Sequence, residues 1–316
     1  MRLPKQFISC DWGTSNFRIR LVDFHSLQIL AEHQTNVGVS NLYKEFKEQT
    51  KHTQRRFFAN YLLDQIEQIL PIIEEEVLVV ASGMITSSIG MSELEYAQMP
   101  ISFTGKEIVR LSLSINDKVN TLLISGMKTD NDVMRGEEIQ AIGLVKYLSK
   151  ETQGILLLPG THSKHIIFRN NKFEDFTTYM TGELFEIMAK HSIISESLEK
   201  SDWTPHFHDV FLNGVKRGIE NQLMASCFSI RVNSLLQKIT KKENYYYLSG
   251  LLIGSEVGYL KNTDNKIYLA SSGILNELYK LALTSFIPSE QLICFESEII
   301  NNALVAGHKK IVEAYV

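Results

Sequence analysis

One arrangement occurs twice in this chain, and it limits the possible folds more than any other feature. Residues 8–22 run from an apolar stretch to Asp11, through the turn Gly13-Thr14-Ser15-Asn16, and on to Phe17, Ile19 and Leu21 alternating with Arg18 and Arg20. Alternation at period two marks a strand with one buried face. Residues 154–168 follow the same order: an apolar stretch, Pro159-Gly160-Thr161-His162-Ser163-Lys164, and a second apolar stretch. Leu27–Thr35 and Phe173–Tyr179 read as the third strand of each set. Gly160-Thr161 lies 147 residues after Gly13-Thr14, far beyond a solenoid period. The chain therefore reads as two similar α/β halves, residues 1–150 and 151–316.

The segments between the hairpins alternate in the same α/β manner. Thr53–Leu70 has apolar residues at helical spacing and stops before Pro71. Glu76–Ala81 and Thr121–Ser125 are short apolar runs, expected as buried strands. The first empties into a loop of small residues, 82–90. The second leads through Asp130 and Asp132 to an expected helix, Val133–Leu148, with Glu137 and Glu138 near its start. In the second half, helices are expected over Gly182–Ile194 (capped by Thr181), Asp209–Leu236 and Glu243–Leu260. Gly250, Gly254 and Gly258 suit a closely packed helix partner. Lys266–Ala270 and Leu292–Phe295 read as strands. Ser271-Ser272-Gly273 is a tight turn before a helix over Ile274–Leu283, and Glu298–Ala314 reads as a closing helix.

Composition removes several function classes. A net charge of −4 offers no field for nucleic acid. No 18-residue apolar run suggests a membrane span, and the N-terminus carries no secretory apolar region. Three cysteines, Cys10, Cys227 and Cys294, lack metal spacing and suit a reducing cytoplasm. Phosphate-binding P-loop, dinucleotide and hydrolase-elbow motifs are absent. His162, His165, His206 and His208 have no zinc-binding partners at the usual spacing.

Two hydroxyl-rich turns, an aspartate beside the first, acids ahead of a helix and a late small-residue turn remain. A glycine turn lets backbone N–H groups approach phosphate, and a neighbouring carboxylate can hold hydrated Mg²⁺. Phosphoryl transfer needs this set, plus one carboxylate to take the proton of the attacking hydroxyl. The same features would also serve as solvated turns and helix-dipole partners.

Five stretches carry a resemblance: Asp11–Arg18, Asp132-Val-Met-Arg135-Gly-Glu137-Glu138, Leu158-Pro-Gly-Thr-His-Ser-Lys164, Met180-Thr-Gly-Glu-Leu184 and Leu248–Val257. In this order they resemble the 2-dehydro-3-deoxygalactonokinase family, within the actin/hexokinase superfamily of ATP-handling proteins. The resemblance implies two ribonuclease-H-like domains around an interdomain cleft. It implies transfer of the ATP γ-phosphoryl, with Mg²⁺, to the 6-hydroxyl of 2-dehydro-3-deoxy-D-galactonate, a small sugar acid, in cytoplasmic galactonate breakdown. Asp11, Gly13, Thr14, Ser15 and Asn16 would form the first phosphate element, with Asp11 holding Mg²⁺ through water. Gly160, Thr161, His162 and Lys164 would form the second, and Ser271, Ser272 and Gly273 the adenosine turn. Asp132 would be the catalytic base, with Glu137 second and Asp130 third. Arg135, Gly83, Met84, Ser87 and Ser88 would receive the sugar acid. The family's Gly-Met-x-Gly-Ser and following tryptophan are here Gly83-Met-Ile-Thr86-Ser87 and Gly90-Met91. That departure leaves open another 2-keto-3-deoxy sugar acid. A non-catalytic binding protein of the same fold is the other alternative, and a homodimer is compatible with a sequence that does not specify the oligomeric state.

Overall fold

Both hairpins form in the computed structural model, which describes residues 3–148 and 153–315. In the first, β1 (Gln6–Trp12) pairs antiparallel with β2 (Phe17–Asp23), setting Asp11 opposite Arg18 and Trp12 opposite Phe17. β3 (Ile29–Thr35) adds antiparallel to β2. Helices α1 (Val39–Lys47) and α2 (Gln54–Ile66) follow. Then β4 (Val77–Gly83) runs parallel to β1. Short strands β5 (Ala97–Gln98) and β6 (Ile101–Ser102) precede β7 (Arg110–Ser114) and β8 (Val119–Ile124). β8 lies parallel to β4. A small hairpin of β9 (Met127–Lys128) and β10 (Val133–Met134) leads to α3 (Glu137–Leu144).

The second half begins with β11 (Gly154–Leu158), β12 (Ser163–Arg169) and β13 (Lys172–Tyr179). Four helices come next: α4 (Thr181–His191), α5 (His208–Ile219), α6 (Leu223–Leu235) and α7 (Lys241–Val257). β14 (Lys266–Leu269), α8 (Gly273–Thr284), β15 (Leu292–Cys294) and α9 (Ser297–Glu313) complete the chain.

The repeat is present in the strand orders. β3-β2-β1-β4-β8 and β13-β12-β11-β14-β15 share the order 3-2-1-4-5. In each, the first strand is parallel to the fourth and the fourth to the fifth. This mixed α/β architecture agrees with the expected fold class. Parallel central strands are covered on both faces and so read as continuous apolar runs. Among the described residues, no helix is long and apolar enough to cross a membrane.

Contacts group the chain into two units. One contains the described residues up to 148, together with Phe168–Asp175 and the residues from Glu298; the other contains 153–167 and Phe176–Ser297. A single cut at residue 150 would leave α9 with the second half, but α9 packs on the first unit. A Cβ on Gly143 would lie 1.8 Å from the Ala303 carbonyl oxygen, and one on Gly307 would lie 2.0 Å from that of Ile139. The helices α3 and α9 therefore touch backbone to backbone. Gly143→Ala is expected to lower stability by about 1–3 kcal/mol or more, because the obstacle is backbone and cannot rotate away. The midpoint of urea unfolding measures it.

Other contacts fix α9 as well. Arg20, expected on a solvated strand face, is 7% exposed. Its guanidinium pairs with Glu32 and donates to the Asn301 carbonyl of α9 at 2.8 Å. His308 bridges Ser9 and Ser82 at 2.8 and 2.9 Å. Burial pushes that imidazole down to about 3, so it is neutral and ties α9 to β1 and β4.

Three sequence expectations are corrected. The helix over Val133–Leu148 begins at Glu137, since residues 133–134 pair as a strand and Gly136 takes φ 117°. The helix over Asp209–Leu236 is two helices, broken where Asn221 takes φ 59°. Thr181 is the first residue of α4 rather than its cap. The glycines of α7 do pack closely: a Cβ on Gly250 or Gly254 would meet α5 carbonyl oxygens at 2.1 and 2.2 Å.

Candidate functional site

Strand β1 delivers Asp11 because Trp12 anchors its end. Trp12 is fully buried and packs edge-on against Phe17 at 4.7 Å, with Phe58 and Tyr61 around it. Burying such a ring contributes about 3 kcal/mol. The turn that follows closes through Gly13 N–H to the Asn16 carbonyl at 2.9 Å. Its carbonyls then accept from the head of α1: Val39 to Gly13 at 2.9 Å, Ser40 to Thr14 and Gly38 to Ser15, each at 3.1 Å. Only glycine fits at 38, where a Cβ would lie 2.2 Å from the Thr14 oxygen. Thr14, Ser15 and Asn16 are exposed, and with Asp11 and Gln34–Asn36 they line an open polar pocket.

Two distant segments meet beside this turn. Gly83 ends β4 at φ 89°, and a Cβ there would stand 2.8 Å from the Trp12 carbonyl oxygen. A Cβ on Gly136 would stand 3.8 Å from Gly83 Cα. Glu137 follows, and its charge reaches Asp11. Burial pushes the Asp11 carboxyl up, Arg18 at 3.3 Å pulls it down, and Glu137 pushes it up again. Mg²⁺ is commonly held by one or two carboxylates with phosphates and waters, and Asp11, beside the exposed Thr14–Asn16 turn, fits that requirement.

Glu138 behaves differently. It is fully buried; Oε2 accepts from Gly136 N–H at 2.6 Å, and Oε1 has no partner. Burial, then the neighbouring Glu137 charge, pushes its carboxyl up to about 8. The folded state therefore holds a proton that the unfolded chain releases near pH 4.5. Stability from this group is greatest at acid pH and falls as pH rises from about 4.5 to about 8. Glu138→Gln is expected to flatten that decline, giving a higher denaturation midpoint than wild type at pH 8 but not at pH 5.

Several other residues singled out by sequence make contacts within the fold. Arg135 donates through Nη1 to the Thr86 carbonyl and hydroxyl, each at 2.6 Å, and lies 4.2 Å over the Tyr96 ring. Through these contacts it braces the 83–90 loop. Ser87 donates to the Met84 carbonyl at 2.7 Å, while Ser88 is exposed and Met84 half-buried. Asp132 lies in the β9–β10 turn, where Oδ1 accepts from Val133 N–H at 2.8 Å. It lines a separate open pocket with Gln98, Lys128 and Asp130. The structure brings Glu137, not Asp132, to the head of α3.

The second unit builds its turn from Gly160, Thr161 and His162. Gly160 N–H donates to Ser163 Oγ at 3.3 Å, and Glu183 N–H donates to the Thr161 carbonyl at 3.1 Å. His162 pairs with Glu183 at 2.6 Å. Thr161 and His162 are exposed. Lys164 is buried, and its ammonium donates to the His162 carbonyl at 3.1 Å, bracing the turn from within. A cavity of ≈ 330 Å³ opens beside Gly160, Thr181 and Gly182, with Trp203, Tyr245 and Leu275 among its walls. Ser271, Ser272 and Gly273 lead directly into Ile274 and Leu275 of that wall. Gly273 takes φ 58°, and no atom lies within 4 Å of where its Cβ would stand. Sequence reasoning missed Trp203 and Tyr245. The available signals were one of only two tryptophans and a Tyr245-Tyr246-Tyr247 run.

Comparisons with known proteins agree on one family. The family model for 2-keto-3-deoxy-galactonokinase matches residues 11–306. A Rhizobium meliloti (strain 1021) protein assigned as a 2-dehydro-3-deoxygalactonokinase is 30% identical over 294 residues, covering 88% of this chain and 89% of that protein. The 2-dehydro-3-deoxygalactonokinase of Escherichia coli (strain K12) is 29% identical over 267 residues, 82% of each chain. A crystal structure of a Sinorhizobium meliloti protein with the same assignment superposes with a TM-score of 0.82 at 27% identity, covering 98% and 96% of the two chains. The chain belongs to the 2-keto-3-deoxy-galactonokinase family.

Proposed function

We propose that this protein transfers the γ-phosphoryl group of ATP to the 6-hydroxyl of 2-dehydro-3-deoxy-D-galactonate in the cytoplasmic breakdown of galactonate. Family membership supports the reaction class. The observation that carries the chemistry is the meeting of Asp11, Gly83 and Gly136-Glu137 in the first unit. Phosphoryl transfer asks a protein mostly for positioning and charge neutralisation. The exposed Gly13–Asn16 turn offers backbone N–H and hydroxyl donors to phosphate oxygens. Asp11 would hold Mg²⁺ through water, and the ion would neutralise the developing phosphate charge.

Glu137 accepts the proton of the attacking hydroxyl in this reading. It begins α3, and its charge is coupled to Asp11. Asp132 is the alternative base, set apart by its place in the β9–β10 turn. Gly83–Ser88 receive the sugar acid through backbone N–H groups and Ser88, with Arg135 acting on them only by bracing Thr86. In the second unit, Gly160–His162 serve the phosphates, and the aromatic cavity beside Ser271–Gly273 takes the nucleoside.

A second reading changes only the acceptor. The 83–96 segment lacks the family's usual second glycine and tryptophan, which favours a different 2-keto-3-deoxy sugar acid. ADP release measured across a panel of such acids tests both. Stimulation by the galactonate derivative alone supports the first reading; stimulation by another acid alone supports the second.

A further inference from the structure

We propose that Glu256 is a positioning residue for the Gly160–His162 turn, acting through Tyr279 and Ser163. The inference rests on the nucleotide reading above and assigns that site a support that the reading does not use.

Glu256 lies near the end of α7 with its side chain only 1% exposed. Oε2 accepts from the Tyr279 hydroxyl at 2.7 Å and from the Thr181 hydroxyl. Oε1 faces His165 Nε2 at 2.8 Å, and Nδ1 of the same ring meets the Tyr259 hydroxyl at 2.8 Å. Tyr279 has one proton, and it is given to Glu256. Its oxygen is then left to accept from Ser163 Oγ, 3.2 Å away. Ser163, having donated, accepts the Gly160 N–H at 3.3 Å. One buried acceptor thus sets the direction of three successive hydrogen bonds that end on the turn.

A second arm reaches the same turn through Thr181, the first residue of α4. A Cβ on the next residue, Gly182, would lie 2.6 Å from the Gly160 carbonyl oxygen. Glu183 then holds Thr161 by its N–H and His162 by its carboxyl. Tyr279 and Thr181 also line the ≈ 330 Å³ cavity. The nucleoside slot and the phosphate-facing turn therefore share one support, with Glu256 as its common acceptor. Partly satisfied buried networks are costly, whereas complete ones rigidify their surroundings.

The discriminating variant is Tyr279→Phe, which keeps the ring in the cavity wall and removes the hydroxyl between Glu256 and Ser163. Calorimetric titration of the full chain with ADP and with adenosine reads the result. ADP affinity is expected to fall about tenfold, with adenosine affinity within about twofold of wild type. Glu256→Gln serves as the conservative rescue. Its amide oxygen can accept from Tyr279 and Thr181 while its NH₂ meets His165 Nε2. ADP affinity then stays within about threefold of wild type. The imidazole proton moves to Nδ1, visible in the ring ¹⁵N shifts. Unchanged ADP binding by Tyr279→Phe overturns the proposal. Equal losses of ADP and adenosine overturn it too, since they report cavity packing alone. A Gln variant as weak as Tyr279→Phe contradicts the acceptor role. If the wild-type chain binds no ADP at all, the nucleotide reading itself fails, and this inference fails with it.

Discussion

Glu137→Gln is expected to leave the fold and nucleotide affinity intact while lowering phosphoryl transfer by about 10²–10⁴-fold, the usual contribution of a positioned base. The substitution is nearly isosteric, so the loss reports proton acceptance rather than shape. Two local features put the carboxylate in place. Gly136 at φ 117° turns the chain sharply into α3, a conformation open to glycine and strained for other residues. The first turn of α3 then sets an acid at a helix N-terminus, where the dipole favours the ionised form. Under this account Asp132→Asn keeps near-normal turnover, because Asp132 serves the β9–β10 turn. The opposite pattern would move the base to Asp132. Coupled ADP release for both variants, with ADP titration as the binding control, decides between them.

Asp11→Asn is expected to reduce transfer by about 10³-fold without lowering stability, an outcome typical of groups held for charge stabilisation rather than for folding. Partial burial already pushes the Asp11 carboxyl up despite Arg18 at 3.3 Å, so ionised Asp11 carries a desolvation cost. Asparagine removes that cost and the negative charge together. The Mg²⁺ dependence should change with it: the concentration for half-maximal rate rises, and excess Mg²⁺ recovers part of the lost rate. A variant that melts early, or one whose Mg²⁺ dependence matches wild type, would place Asp11 in the scaffold.

The repeat was legible because its signal is local. Period-two alternation around Gly13-Thr14 and the apolar runs around Gly160-Thr161 report strands directly, while the shared strand order is seen only in the fold. The helix over 133–148 was misjudged at its start because Asp132-Val-Met-Arg-Gly-Glu-Glu contains good helix residues. Pairing of Val133–Met134 with Met127–Lys128 overrides that propensity, a tertiary contact that no window of sequence contains. Arg135 shows the same limit. An arginine among acids and glycines looks available for an anionic substrate, and only the fold reveals Thr86 and Tyr96 as its partners. The cavity walls come from Trp203, Tyr245 and Leu275, widely spaced in the chain and brought together only by helix packing. Lys164 reads as a phosphate ligand beside Thr161, yet burial turns its ammonium onto the His162 carbonyl.

The central claim is that the acceptor is a 2-keto-3-deoxy sugar acid and the donor is ATP. Incubation of the full chain with ATP, Mg²⁺ and 2-dehydro-3-deoxy-D-galactonate, followed by ³¹P NMR, tests it most directly. The account predicts one ADP for each phosphomonoester formed, with the phosphorus coupled to the C6 protons. It also predicts no ADP release when the acid is omitted. ADP release that is equal with and without the acid, or no phosphomonoester with any acid of this class, would contradict it.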